Sequence, residues 1–177
     1  FARKCRVIAH ELGIALEDVR TLPMQEPEFR KVNPLGKIPT LQLDDGSVLI
    51  DSPVICEYLE GFGSGPSLFP TEPARRWAAL RRQALGDGFL DFLLLWRQER
   101  MERPPERQSP PHIEGFKKKF GWTMTALGKE APLLAADQLT IGHVAIGCAL
   151  SYLDFRFPDL NWRDVSPEAA AWHKVFA

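Results

Sequence analysis

The sequence predicts two parts of different fold class, an α/β part followed by an all-helical part. Strand signals occur only in the first 62 residues, where helical spacing alternates with short extended runs. After the Gly- and Pro-rich stretch 63–71, long apolar helical patterns take over. We therefore expect a domain at 1–62, a linker at 63–71 and an all-helical domain at 72–177.

Composition and charge are those of an ordinary globular protein. The 177 residues are 45% hydrophobic and 25% charged, and 22 basic against 23 acidic residues leave a net charge of −1. This balance provides no overall positive field for nucleic acid or an acidic membrane, so we expect neither as a partner. Apolar runs such as Phe92–Trp96 are far too short to span a bilayer.

The cysteines and histidines predict neither a disulfide framework nor a metal site. Three cysteines lie far apart, at positions 5, 56 and 148, without CxxC or zinc-type spacing. This pattern fits a reducing compartment, and we expect a cytoplasmic protein. No signal peptide pattern is visible. Because the chain begins at Phe1 rather than at Met, we expect its ends to be trimmed.

In the first part, helical spacing from Cys5 to Leu12 ends at a glycine, and an Asp-Asp-Gly turn separates two extended runs. In the second part, the segment 140–155 is apolar on every face, which is typical of a central core helix. The predicted elements are a helix ending at Gly13, a strand at 16–22, a helical turn at 27–32, strands at 39–43 and 47–50, and helices starting at Ser52 and covering 72–103, 111–130, 140–155 and 167 onward.

The most informative stretch surrounds Ile38-Pro39 and Asp51-Ser52. A proline that enters a strand removes a ladder donor and needs an edge or a special geometry such as a cis peptide. The N–H and C=O groups of Ile38 would then be free for a peptide-like ligand. Ser52, as the N-cap of a helix, would offer a carboxylate site, and Asp51 beside it could hold an ammonium. Together they describe a receptor for an α-amino acid terminus.

In the order and spacing of these motifs, the chain resembles the soluble glutathione S-transferases, most closely bacterial members whose first helix begins Ser-Pro-Phe-x-Arg-Lys. The resemblance implies a thioredoxin-like N-terminal domain, which binds glutathione, and an all-α C-terminal helical bundle. The matching segments are Arg3–Val7, Asn33–Pro39, the Asp-Gly hairpin, Asp51-Ser52, Glu57–Leu59 and Tyr152–Phe157.

The resemblance implies a role for each residue of the glutathione site. Ile38 contributes its backbone pair to the cysteinyl unit, next to a cis Pro39. Asp51 and Ser52 hold the γ-glutamyl ammonium and carboxylate, and Lys37 approaches the glycyl carboxylate. The family places its catalytic Ser, Tyr or Cys on a strand before the first helix. That position is expected upstream of Phe1, so the catalytic residue is unknown.

Two further expectations come from the family. Its acceptor pocket lies between the domains, with Phe89, Phe92 and Trp96 as candidate lining residues, although core packing is an alternative interpretation for all three. Its core helix often begins with a Ser/Thr-x-x-Asp capping box. Here His143 stands in place of the carboxylate after Thr140, and we expect a stability cost of about 1 kcal/mol.

The function implied is that of a glutathione transferase, a detoxification enzyme that joins the glutathione thiolate to small hydrophobic electrophiles. Glutathione is the co-substrate, no metal is implied, and a two-fold homodimer is expected. Two alternatives remain open. One is a glutathione-dependent thiol reductase or peroxidase of the same fold, which an upstream cysteine would favour. The other is a non-catalytic interaction module, which the intact Asp51 and Ser52 disfavour.

Overall fold

The computed structural model describes residues 1–177 as eight α-helices and one two-stranded sheet. The chain divides into two compact units, Phe1–Ala79 and Leu80–Ala177. The first unit contains the sheet and the second is all-helical, so the predicted order of fold classes is confirmed. The division between the units lies beyond the predicted linker, within the fourth helix.

The first unit contains a short hairpin. Its strands are antiparallel, with Thr40 opposite Ile50 and Gln42 opposite Val48. Gly46 adopts a φ of 83° in the connecting turn, the conformation for which the Asp-Gly signal selects. The elements are α1 (Ala2–Glu11), α2 (Phe29–Val32), β1 (Thr40–Gln42), β2 (Val48–Ile50) and α3 (Ser52–Glu60).

The core of this unit forms where α1 packs against α3. Ile8 and Cys56 are completely buried. The Sγ atoms of Cys5 and Cys56 lie 3.8 Å apart, and the Cys5 Sγ lies 3.9 Å from the carbonyl oxygen of Ser52. Both helices meet here through small sulfur-bearing side chains, so α1 directly supports the first turn of α3.

The predicted strand at 16–22 does not form. No backbone hydrogen bond joins this segment to another strand, and Val19 is 72% exposed. An alternating pattern becomes a strand only where a neighbouring strand accepts its N–H groups and supplies donors for its carbonyls. The charged side chains of this segment face solvent instead, with Asp18 paired to Arg6 at 3.3 Å.

The second part of the chain confirms the predicted helices, with two changes at their ends. The first long helix continues into a wider π-helical turn at Gln98–Glu102, and the next extends beyond residue 130, through Pro132. None of the helices combines the length and apolar character that crossing a membrane requires. The helices are α4 (Pro73–Arg97), α5 (Pro110–Ala136), α6 (Ile141–Arg156), α7 (Trp162–Val165) and α8 (Pro167–Phe176).

Helix α6 is the centre of the second unit, as its apolar faces predict. Every residue from Ile141 to Leu150 is buried. Gly86 of α4 lies against its backbone, since a Cβ at this position would be 2.6 Å from the carbonyl carbon of Ala145. A side chain there would force the two helices apart, so this close approach requires glycine.

At the start of α6, His143 takes the place of the usual carboxylate and completes the capping box. The Thr140 N–H donates to Nδ1 of His143 over 3.1 Å, and Nε2 of His143 lies 3.0 Å from the Leu134 carbonyl oxygen. Because Nδ1 accepts, Nε2 must carry the proton and donate. A neutral imidazole therefore completes the box and also ties α6 to the end of α5.

We predict that His143 makes the protein less stable in mild acid. Burial lowers the pKa of this imidazole below 6.5, and the charge of Arg82 lowers it further, while the bond to the Leu134 carbonyl acts in the opposite direction. The unfolded chain binds the proton at its ordinary pKa. The stabilisation is therefore complete above about pH 6.5 and declines as the pH falls below it. Urea unfolding at a series of pH values measures this decline.

Two variants isolate the contribution of His143 to the loss of stability in acid. His143→Asp supplies a carboxylate acceptor that stays ionised in mild acid, so its free energy of unfolding should be flatter just below pH 6.5 than that of the wild type. His112→Gln removes an exposed imidazole and should keep the wild-type profile. An unchanged acid loss in His143→Asp would show that another group is responsible.

Candidate functional site

The loop between α2 and β1 is organised by the buried side chain of Asn33. Its Nδ2 donates to the Lys37 carbonyl oxygen and to Thr40 Oγ1, both over 2.9 Å. Its Oδ1 accepts the Leu35 N–H at 3.0 Å, and the Gly36 N–H, at a φ of 60°, donates to the Asn33 carbonyl. Sequence reasoning named Asn33 only as the first residue of the matching segment Asn33–Pro39, because a sequence pattern does not show which distant groups a side-chain amide reaches.

Residues Ile38 and Pro39 lie at the exposed end of this loop. Their peptide bond is cis, as the family resemblance implies. Ile38 is 50% exposed, and neither its N–H nor its C=O has a hydrogen-bond partner in the chain. A free donor and a free acceptor on one exposed residue are what an extended peptide needs to pair with a protein edge.

The N-terminus of α3 differs from the prediction by one residue. Asp51, not Ser52, is the N-cap, and its Oδ1 accepts the Ser52 N–H over 2.7 Å. Ser52 is the first residue of the helix, and Pro53 follows it. Asp51 adopts a φ of 67°, which for a residue with a Cβ costs on the order of 1 kcal/mol or more. The exposed carboxylate is therefore held in a strained backbone conformation.

The hydroxyl of Ser52 is buried without a hydrogen-bond partner. Ser52 is buried, and its Oγ makes no hydrogen bond within the protein. An unsatisfied buried hydroxyl costs about 1 to 3 kcal/mol. An acceptor arriving at the N-terminus of α3 would relieve this cost and would also meet the positive end of the helix dipole.

The hairpin brings the predicted binding residues to one end. Because Thr40 pairs with Ile50, Ile38 and Pro39 come just before the ladder on one strand, and Asp51-Ser52 just after it on the other. Lys37 is exposed at the same end, opposite the Asp-Gly turn. The site thus offers a backbone donor and acceptor, a carboxylate, a hydroxyl at a helix N-terminus and an ammonium. No group of three or more His, Cys, Asp or Glu side chains in the chain is placed to hold a metal ion.

The three candidate acceptor residues do not all line one cavity in the structure. Phe89 and Phe92 line a cavity of about 230 Å³ within the second unit, together with Lys119 and Trp122 of α5. Trp96 is 1% exposed and packs against the rings of α5 in the core. Core packing therefore describes Trp96, and Phe89, at 2% exposed, is also part of the core. Sequence reasoning missed Lys119 and Trp122, because the spacing of α5 does not show which of its faces meets α4.

Comparison with known proteins gives the same order of domains as the structure, an N-terminal domain with the sheet and a C-terminal helical domain. Residues 1–61 match the family model of the glutathione S-transferase N-terminal domain, and residues 98–174 match that of the glutathione S-transferase C-terminal domain. An uncharacterized GST-like protein of Escherichia coli K12, YibF, is 32% identical over 167 residues, which cover 92% of this chain and 81% of YibF.

Two solved structures agree with this match. A glutathione transferase family member from Pseudomonas fluorescens Pf-5, with bound glutathione, is 38% identical, with a TM-score of 0.89 over 98% of this chain and 87% of that one. A glutathione S-transferase from Methylobacillus flagellatus, also with glutathione bound, is 31% identical, with a TM-score of 0.90 and the same coverage of each chain. The domain matches, the YibF identity over most of both chains and these two structures show that the chain belongs to the glutathione S-transferase family.

Proposed function

We propose that this protein binds glutathione at the end of its hairpin and transfers the thiolate to small hydrophobic electrophiles. The observation that carries the proposal is the unpartnered hydroxyl of Ser52 beside the exposed carboxylate of Asp51. Such a pair matches the carboxylate and ammonium of a γ-glutamyl group. The two related structures that hold glutathione support this choice of ligand.

In the proposed complex each part of glutathione meets a complementary group. The γ-glutamyl carboxylate accepts the Ser52 hydroxyl at the N-terminus of α3. The ammonium pairs with Asp51, whose Oδ2 has no partner in the chain. The cysteinyl unit runs along Ile38 and exchanges two backbone hydrogen bonds with it. Lys37 faces the glycyl carboxylate.

The cavity beside Phe89 and Phe92 is the proposed acceptor site. Its walls are aromatic and aliphatic apart from Lys119 and Thr123, which suits an apolar electrophile. Its volume of about 230 Å³ is below the roughly 300 Å³ at which drug-sized pockets begin. We therefore propose electrophiles of about one aromatic ring.

The cysteine that contacts Ser52 does not supply the reactive thiol of a reductase. A reductase needs a reactive thiol that is partly exposed. Cys5 is 4% exposed and packs against Cys56, which makes it a poor nucleophile. In the conjugation, the glutathione sulfur forms a C–S bond, and the electrophile's leaving group departs with the bonding electrons. The test is formation of the thioether from glutathione and a panel of aromatic halides.

We also propose a two-fold homodimer, in which the first unit of each chain packs on the helical unit of its partner. Both units expose large apolar side chains, including Phe62 in the first and Leu95 in the second, at 65% and 56%. Apolar surface of this kind is suited to burial against another chain. Light scattering decides between the dimer mass and the monomer mass.

Ser52→Ala should weaken glutathione binding without weakening the fold. Loss of the hydroxyl removes a hydrogen bond to a charged ligand group, so the affinity should fall about tenfold or more. The same change removes a buried group without a partner, so the free energy of unfolding should stay constant or rise by about 1 kcal/mol. Titration calorimetry and urea unfolding measure the two effects.

The matched control is Ser47→Ala, which removes an exposed hydroxyl from the same hairpin. Its affinity for glutathione should equal that of the wild type. If Ser52→Ala bound glutathione as tightly as Ser47→Ala, the hydroxyl would have no part in binding. If the wild type bound no glutathione, the non-catalytic interaction module would replace the transferase as the proposal.

Asp51→Asn should affect glutathione and N-acetylglutathione differently. Asparagine keeps an oxygen that can accept the Ser52 N–H but removes the negative charge. Affinity for glutathione should fall about tenfold, since a charge-assisted bond to the ammonium is lost. N-acetylglutathione has no ammonium, so calorimetry should find little change in its affinity. Equal losses for both ligands would mean that Asp51 acts only through the backbone of α3.

A further inference from the structure

The peptide group between Lys37 and Ile38 is held through its oxygen. The Lys37 carbonyl accepts one hydrogen bond from Asn33 Nδ2 at 2.9 Å and another from Thr40 Oγ1 at 3.0 Å. This peptide bond is trans, because the cis bond is the next one along the chain. In a planar trans peptide the C=O and N–H point in opposite directions. The two bonds therefore direct the Ile38 N–H away from Asn33 and Thr40.

Three groups form a closed triangle that needs no ligand. Asn33 Nδ2 donates to Thr40 Oγ1 as well as to the Lys37 carbonyl, and Thr40 Oγ1 donates to the same carbonyl. Asn33 is 1% exposed, and its own N–H donates to the Phe29 carbonyl at the start of α2. The triangle is thus anchored to α2 on one side and to β1 on the other.

The bonds of Asn33 divide into two sets. Its Oδ1 and its carbonyl close the local turn, through the N–H groups of Leu35 and Gly36. Its Nδ2 reaches past this turn to the Lys37 carbonyl and Thr40. The turn itself uses only the first set. The second set has a different consequence, which is to fix the plane of the peptide that carries the Ile38 N–H.

We propose that Asn33 and Thr40 are positioning residues for glutathione, which present the Ile38 N–H to the carbonyl oxygen of the ligand's cysteinyl unit. The inference rests on the proposed glutathione site. Neither side chain touches the ligand. They act by ordering the donor before the ligand binds. The entropic cost of ordering the loop is therefore not subtracted from the binding free energy.

The triangle is tested with three variants of the full chain. Thr40→Val keeps the β-branched shape and removes the hydroxyl, so glutathione affinity should fall roughly fivefold to tenfold, while Thr40→Ser keeps the hydroxyl and should stay within about twofold of the wild type. Asn33→Asp keeps the acceptor for Leu35 but turns a carboxylate oxygen toward the Lys37 carbonyl. The glutathione affinity of this variant should fall about tenfold or more.

Amide hydrogen exchange at Ile38 separates positioning from general stability. In the wild type this N–H should exchange fast in the free protein and slow down when glutathione binds. In Thr40→Val, glutathione should slow the exchange of the Ile38 N–H less than it does in the wild type. The two proteins are compared at glutathione concentrations that fill the same fraction of their sites. The matched control, Ser47→Ala, loses the hydroxyl bond to Asp45 in the same hairpin and should show the wild-type slowing.

The outcomes distinguish this inference from the proposed function. If Ser52→Ala loses glutathione while Thr40→Val and Asn33→Asp bind it like the wild type, the positioning role is overturned and the glutathione site stands. Equal weakening in Thr40→Ser and Thr40→Val also overturns it, because the hydroxyl would then be irrelevant. If the wild type binds no glutathione, the proposed function fails and this inference fails with it. If Asn33→Asp does not fold, the two Thr40 variants decide.

Discussion

The first unit depends on the packing of α1 against α3. Cys5 contacts both Cys56 and the Ser52 carbonyl, and Ile8 is completely buried in the same core. This contact fixes the first turn of α3, and the first turn of α3 carries the buried hydroxyl and follows the strained Asp51. Small side chains at the contact let the two helices approach closely. The Asp51-Ser52 part of the proposed site therefore rests on the core beneath it, whereas the loop bonds of Asn33 hold the Ile38 part.

Several features at this end of the hairpin reduce the free energy of unfolding, and each is local. The left-handed φ of Asp51, the unpartnered hydroxyl of Ser52 and the free backbone groups of Ile38 each act against folding or leave a bond unmade. The first two cost on the order of 1 to 3 kcal/mol each. The Ser52 hydroxyl and the Ile38 backbone groups lie where the proposed ligand would offer a partner. The apolar core between α1 and α3 offsets these costs in the free protein.

The sequence predicted the features that depend on neighbouring residues. The Asp-Gly turn and the core helix α6 follow from local turn chemistry and hydrophobic periodicity, the cis Pro39 follows from the family resemblance, and all three are present. The strand at 16–22 failed because pairing needs a second strand that a pattern does not supply. The N-cap prediction at Ser52 was wrong by one residue, because Asp and Ser are both favoured N-caps and residue type alone does not choose between adjacent ones. The partners of Asn33 and the lining of the cavity depend on contacts between separate elements.

The two proposed sites depend on different sets of elements. The proposed glutathione site uses backbone groups of Ile38, the N-terminus of α3 and the side chains of Asp51, Ser52 and Lys37, all in the first unit. The proposed acceptor cavity is lined by side chains of α4 and α5, which belong to a different core. Phe92 and Trp122 line this cavity and both belong to the second unit. We therefore expect substitutions at these two positions to alter the proposed acceptor preference more than the proposed glutathione affinity.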